Sequence, residues 1–159
     1  MTTVTNDMRR TLQQYPVGGI CQFGKNIESP SQLARFNKDL QAASATPLFI
    51  TVDEEGGMVA RLANNDAFDL PRYASAAAVG ALGDPENARA MGQTIGVYLK
   101  TYGFNMDFAP DADVNTNPDN PIIGERAFSS DAATAAQMAA AAAEGLRQNG
   151  ILPTLKHFP

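Results

Sequence analysis

Apolar residues in this chain gather into four short runs, at 17–23, 48–52, 104–109 and 151–155, none of them strictly alternating with polar residues. Runs of that kind fit parallel strands covered on both faces, where neither side looks onto water. Between them the spacing becomes helical. Over 31–43, Leu33, Phe36 and Leu40 share one face behind a Ser29-Pro30 start signal. Asp84-Pro85-Glu86 opens another helix, in which Met91, Ile95 and Leu99 recur every fourth residue and Gly103 is the stop. A third lies in SSDAATAAQMAAAAAEGLRQNG, started by Ser129 or Ser130 and closed by Asn149-Gly150. Its alanine run is the mark of a strong helix former. Shorter helices are expected at 7–15 and 74–82.

The resulting order, helix then strand four times over, predicts an α/β fold of about four parallel strands joined by right-handed crossovers. No repeat of fixed period is visible. The longest irregular stretches, 54–73 and 111–128, follow the second and third strands, the end at which α/β proteins hold ligands.

Composition narrows the picture. With 159 residues, 44% of them hydrophobic, the chain can bury one core and reads as a single domain over 1–159. Its net charge of -5, without a basic cluster, argues against nucleic acid and anionic membrane surfaces as partners. No apolar run approaches the ~20 residues of a membrane span. The first residues, MTTVTNDMRRTLQQYP, lack the apolar core of a signal peptide, so a cytoplasmic setting is expected. Cys21 is the single cysteine, which excludes an intrachain disulfide. It lies in VGGICQF and reads as a buried, inert thiol.

Three clusters could carry chemistry. In TVDEEGGMVARL a strand ends on Asp53, two glycines permit close backbone approach, and Arg61 follows eight residues on. Carboxylate acceptors and a guanidinium fork suit a ligand rich in hydroxyls. An Asx turn beside a surface arginine accounts for the same spacing equally well. In FAPDADVNTNPDNPIIGERAF, the opening Asp111-x-Asp113-x-Asn115 imitates a calcium loop. Thr116 and Ile122, however, stand where that loop needs glycine and a bidentate glutamate. Another metal held by Asp111, Asp113 and Asp119 is an alternative reading. Arg126, near the end of this stretch, reads either as a ligand contact or as a salt bridge across the loop. The third cluster is Lys156-His157 at the tip of the last run. A lone histidine is more often structural than functional, and no second His or Cys completes a zinc set with it.

Taken together, GGICQFGKNI, TVDEEGGMVARL, GFNMDFAPDADVN, IIGERAFS and the closing KHFP resemble, in order and spacing, glycoside hydrolase family 3, in its bacterial β-N-acetylhexosaminidase branch. In that branch KHFP leads into Gly-His-Gly, whereas the β-glucosidases usually lack the proline. One departure is Asp111, which stands where the family pattern has an apolar residue. The resemblance implies a TIM-like barrel, of which this chain would be a part, since the whole barrel takes ~250 residues. It implies that Asp53, Arg61, Arg126, Lys156 and His157 hold the sugar on the non-leaving side of the cleaved bond. Asp53 and Lys156 would bind ring hydroxyls, and the arginines would orient the substrate.

The activity implied is that of an exo-acting, retaining β-N-acetylhexosaminidase on N-acetylglucosamine-containing glycans such as cell-wall fragments. No cofactor is implied. An aspartate nucleophile and a His-Asp proton shuttle would lie beyond Pro159, so these residues include no catalytic group and are expected to be inactive alone. The open sheet edges of a half-barrel favour a homo-oligomer. The reading from another functional class is a non-catalytic half-barrel module for carbohydrate binding or assembly.

Overall fold

A computed structural model describes residues 1–157; the final Phe158 and Pro159 of the KHFP ending lie outside the described residues. Four strands form one parallel sheet: β1 (Gly19–Gln22), β2 (Phe49–Val52), β5 (Met106–Asp107) and β6 (Leu152–Pro153), in the spatial order β1-β2-β5-β6. Between β2 and β5 stands a two-stranded antiparallel hairpin, β3 (Glu54–Gly56) and β4 (Val59–Ala60). The helices are α1 (Asn6–Gln14), α2 (Pro30–Ala43), α3 (Ala76–Gly80), α4 (Pro85–Thr101) and α5 (Ala132–Gln148). The α/β class, with four parallel strands alternating with helices, is as the sequence predicts.

Register follows from the pairs Gly19↔Phe49, Thr51↔Met106 and Met106↔Leu152. Ile50, Thr51 and Val52 are buried, as a central strand requires. β1 lies at the edge, and its Ile20 and Cys21 are only partly covered. Cys21 is thus half-buried rather than buried, although burial and the neighbouring Asp53 both push its thiol pKa up, away from the reactive thiolate. The strands are shorter than the apolar runs, partly because side chains take over the pairing. Asn105 accepts from the Ile50 N–H at 2.8 Å and donates to the Leu48 carbonyl at 2.9 Å, closing the gap before β5 begins.

Helix starts show how local chemistry sets the boundaries. Ser29 caps α2 by accepting from the Gln32 N–H, and Asp84 caps α4 by accepting from the Glu86 N–H. For α5 the cap is Asp131, not Ser129 or Ser130: its carboxylate accepts from both the backbone N–H and the hydroxyl of Thr134. A charged acceptor with two partners outcompetes a neighbouring hydroxyl, and Ser129 instead accepts from the Asp131 N–H.

The buried core runs from Leu33, Phe36 and Leu40 of α2, across Ile50 and Val52, to Met91, Ile95 and Leu99 of α4 and Met138 and Leu146 of α5. α4 and α5 form the tightest helix pair, meeting on small residues. A Cβ at Gly92 would stand 2.1 Å from the Ala142 carbonyl oxygen, and one at Gly145 would stand 2.2 Å from that of Arg89. Alanine at position 92 would gain helix propensity of about 1 kcal/mol. The contact is with rigid backbone, so overpacking of about 1–3 kcal/mol wins. Gly92→Ala is expected to lower Tm by about 2–4 °C for each kcal/mol lost, whereas Gly18→Ala, with open space around it, leaves Tm near that of the parent chain. Thermal melts followed by circular dichroism check both.

Candidate substrate-binding site

The carboxyl ends of β2, β5 and β6 carry a dense set of charged groups. Asp53 follows β2 directly. Lys156 reaches the same place through a parallel bridge between its backbone and that of Asp111, with the Ala112 N–H donating to the Lys156 carbonyl at 2.7 Å. The Lys156 ammonium then lies 2.7 Å from Asp53 Oδ1 and 2.5 Å from Glu55 Oε1. Arg61, just after β4, places Nη2 3.7 Å from Asp53 Oδ2. Arg126 stands in a 3-10 turn (Gly124–Arg126) and grips Glu55 as a fork, Nε to Oε2 at 2.8 Å and Nη2 to Oε1 at 2.7 Å. The same Nη2 is 3.2 Å from His157 Nε2.

The five residues singled out from the sequence are therefore brought into one continuous network, spanning Asp53 to His157. The salt-bridge reading of Arg126 is also realised: its closest partner is Glu55 of the hairpin, and Asp111 lies across its own loop at 3.8 Å. Glu55 is the member that spacing did not single out. It is buried, it joins Lys156 to Arg126, and without it the aspartate end and the histidine end would be separate pairs. Its signal was present as the third acid of Asp53-Glu54-Glu55, but alternation within a short strand hides which acid turns inward.

The hairpin that holds Glu55 is itself pinned from below. The Glu54 carboxylate accepts from the N–H groups of Leu62 and Ala63 at 2.8 and 2.9 Å and from the Tyr98 hydroxyl at 2.9 Å. Gly57, at φ 65°, lets the turn press on α3's approach; a Cβ there would meet Ser75 Cα at 2.9 Å. The irregular stretch expected over 54–73 thus opens with an ordered ribbon, missed because its strands have only three and two residues.

Burial and pairing set the charges. Desolvation works against the Lys156 ammonium, but hydrogen bonds to Asp53 and Glu55 outweigh it and hold its pKa above the usual lysine range. Arg126 is likewise held charged, chiefly by the Glu55 fork. A guanidinium only donates, so His157 Nε2 accepts from Arg126 and Nδ1 carries the proton that it donates to Asp113 Oδ2 at 2.7 Å. Burial raises the Asp113 carboxyl, yet its bonds to His157 more than offset this and its pKa lies below the ordinary value. Asp111, 2% exposed, accepts from the Asp113 N–H through Oδ1 at 2.8 Å. Burial pushes its pKa up to about 6. Asp119 is exposed and does not join Asp111 and Asp113; His157 is the third member of that cluster. Among the described residues no helix is long and apolar enough to cross a membrane.

Beneath the network lies Asp107, with no exposed surface. Oδ1 accepts from the Glu54 N–H at 3.0 Å and Oδ2 has no partner among the described residues. Burial drives its pKa well above the ordinary carboxylate value, so the folded state keeps this proton longer than the unfolded chain does. As pH rises past the unfolded carboxylate range of about 3.9, the unfolded state ionises first, and stability falls until the folded group ionises too. Asp107→Asn retains an acceptor for Glu54 and removes that titration. Urea unfolding between about pH 5 and pH 7 should show a smaller loss of stability with rising pH in the variant than in the parent.

With this geometry in place, comparison with known proteins is direct. The Glycosyl hydrolase family 3 N terminal domain model matches residues 1–159. The chain is 38% identical over 157 residues to Beta-hexosaminidase LpqI of Mycobacterium tuberculosis, covering 96% of this chain and 38% of that protein. It superposes on a glycoside hydrolase family 3 beta-N-acetylglucosaminidase from Paenibacillus sp. str. FPU-7 with a TM-score of 0.91 and 38% identity, over 100% of this chain and 30% of that one. NagZ from Neisseria gonorrhoeae in complex with N-trifluoroacetyl-D-glucosamine gives a TM-score of 0.87 at 27% identity, over 99% of this chain and 47% of that one. The chain spans between 27% and 46% of the length of the first curated relatives it matches. A whole-chain match, set on a shared fold, identifies the family: this chain belongs to the glycosyl hydrolase family 3 N terminal domains.

Proposed function

We propose that these residues form the sugar-holding part of an exo-acting β-N-acetylhexosaminidase, one that releases terminal N-acetylglucosamine from glycans in two retaining steps. The observation that carries the reading is the single network of Asp53, Glu55, Lys156, Arg126 and His157 at the carboxyl end of the sheet. Such a network offers a sugar both carboxylate acceptors and charged donors, so hydroxyls entering it need not lose their partners. Asp53 and Lys156 are assigned to ring hydroxyls, and Arg61, Arg126 and His157 to orienting the ring. Relatives named as hexosaminidases and the complex of NagZ with an N-acylglucosamine supply the sugar class.

The nucleophile and the proton shuttle of the reaction are assigned outside residues 1–159, which make up a single partial barrel domain. Two measurements test this. The purified 159-residue chain should shift in NMR titrations with N-acetylglucosamine, and Asp53→Asn or Lys156→Met should weaken that binding at least tenfold, about 1.4 kcal/mol. The same chain should release no nitrophenol from a nitrophenyl N-acetylglucosaminide; enzyme-dependent release would place the catalytic groups within it.

The chain is also proposed to self-associate. Among the described residues β1 and β6 present unpaired strand edges, and Phe49 and Leu152 are about half exposed. Light scattering of the 159-residue chain should give a dimer or larger mass; a monomer at high concentration refutes the pairing.

A further inference from the structure

The cluster of Asp111, Asp113 and His157 has a property that sugar binding does not use. The Asp111 side chain is 1% exposed, and its Oδ2 has no hydrogen-bond partner among the described residues. That oxygen is directed between Arg126 Nε, at 3.8 Å, and His157 Nδ1, at 3.9 Å, both beyond hydrogen-bond reach. A buried carboxylate oxygen without a partner is costly. An apolar residue would avoid the cost. The turn bond to the Asp113 N–H uses only Oδ1, which leaves Oδ2 with no more than the longer-range attraction of Arg126.

From these residues we infer a site for a divalent transition metal of the Zn²⁺ type, held by Asp111 Oδ2, Asp113 Oδ2 and His157 Nδ1. All three donor atoms lie within 4.8 Å of one another. Zinc bonds of about 2.0–2.2 Å in a tetrahedron put ligand atoms about 3.4 Å apart. The edges here are 2.7 Å from His157 to Asp113 and 3.9 Å from His157 to Asp111, so a swing of the exposed His157 ring by less than an ångström evens them. Two carboxylates and one neutral imidazole match the charge and donor preference of such an ion, and leave a position open to solvent. Calcium and magnesium, which require six or more oxygens, are poorly served.

The neighbouring cations do not forbid the ion. Arg126 is neutralised by the Glu55 fork, and Lys156 lies between Asp53 and Glu55. The site does carry one consequence for the network. Metal on Nδ1 moves the imidazole proton to Nε2, which then can no longer accept from Arg126. Ion binding and the Arg126–His157 contact are therefore mutually exclusive.

Calorimetric titration of the 159-residue chain with Zn²⁺, in the absence of sugar, tests the site without reference to activity. One equivalent is expected to bind, Co²⁺ is expected to bring visible d–d absorption, and excess Mg²⁺ should displace neither. Asp111→Val, which removes a buried charge, should lower Zn²⁺ affinity at least tenfold with an unchanged circular dichroism spectrum. Asp113→Asn and His157→Ala should do the same. Absence of stoichiometric binding, or undiminished affinity in Asp111→Val, overturns the assignment.

Discussion

The arrangement at the carboxyl end of the sheet depends on one buried carboxylate. Glu55 accepts from both Arg126 and Lys156, which arrive from residues 71 and 101 positions further along the chain. A carboxylate almost removed from water would be intolerable alone; two cations converging on it make its burial favourable and fix their own positions. Asp53 and His157 then attach to the cations from either side. What looks like a set of five independent polar residues is a chain of charges centred on a sixth.

That centre is only as rigid as its support. Glu54, its neighbour in β3, points the other way and closes the hairpin by accepting two backbone N–H groups and the Tyr98 hydroxyl. Asp107, at the end of β5, accepts from the Glu54 N–H. Successive acids at 53, 54 and 55 therefore serve three ends: the rim of the site, the floor of the hairpin and the bridge between cations. The division follows from the pleat of an extended chain, which turns consecutive side chains to opposite faces.

Two layers meet in this construction. Below, α4 and α5 pack backbone to backbone through Gly92 and Gly145, and give the sheet a stiff backing. Above, the loops carry charge that must be paired wherever it is covered. Asp111, like Asp107 beneath it, is covered and half-paired, so it marks a place where the protein spends stability. Departures of this kind from local consistency are where function is expected to lie.

The sequence by itself determined the sheet class, the helix faces and the places where the chain turns. These follow from local patterns: apolar runs without alternation, fourfold spacing of Met91, Ile95 and Leu99, and capping groups beside them. It also singled out the five residues that the charged network joins, because motif order survives without coordinates. Only the tertiary structure decided how they connect. Glu55 could not be told from Glu54 while the hairpin was unknown, and the capping of α5 by Asp131 rather than a serine turned on competition among three adjacent acceptors. The pairing of His157 with Asp113 and Asp111, rather than of those acids with Asp119, joins segments 44 residues apart. Periodicity reports which side of its own element a residue faces; which distant charge it meets is set by packing across the sheet.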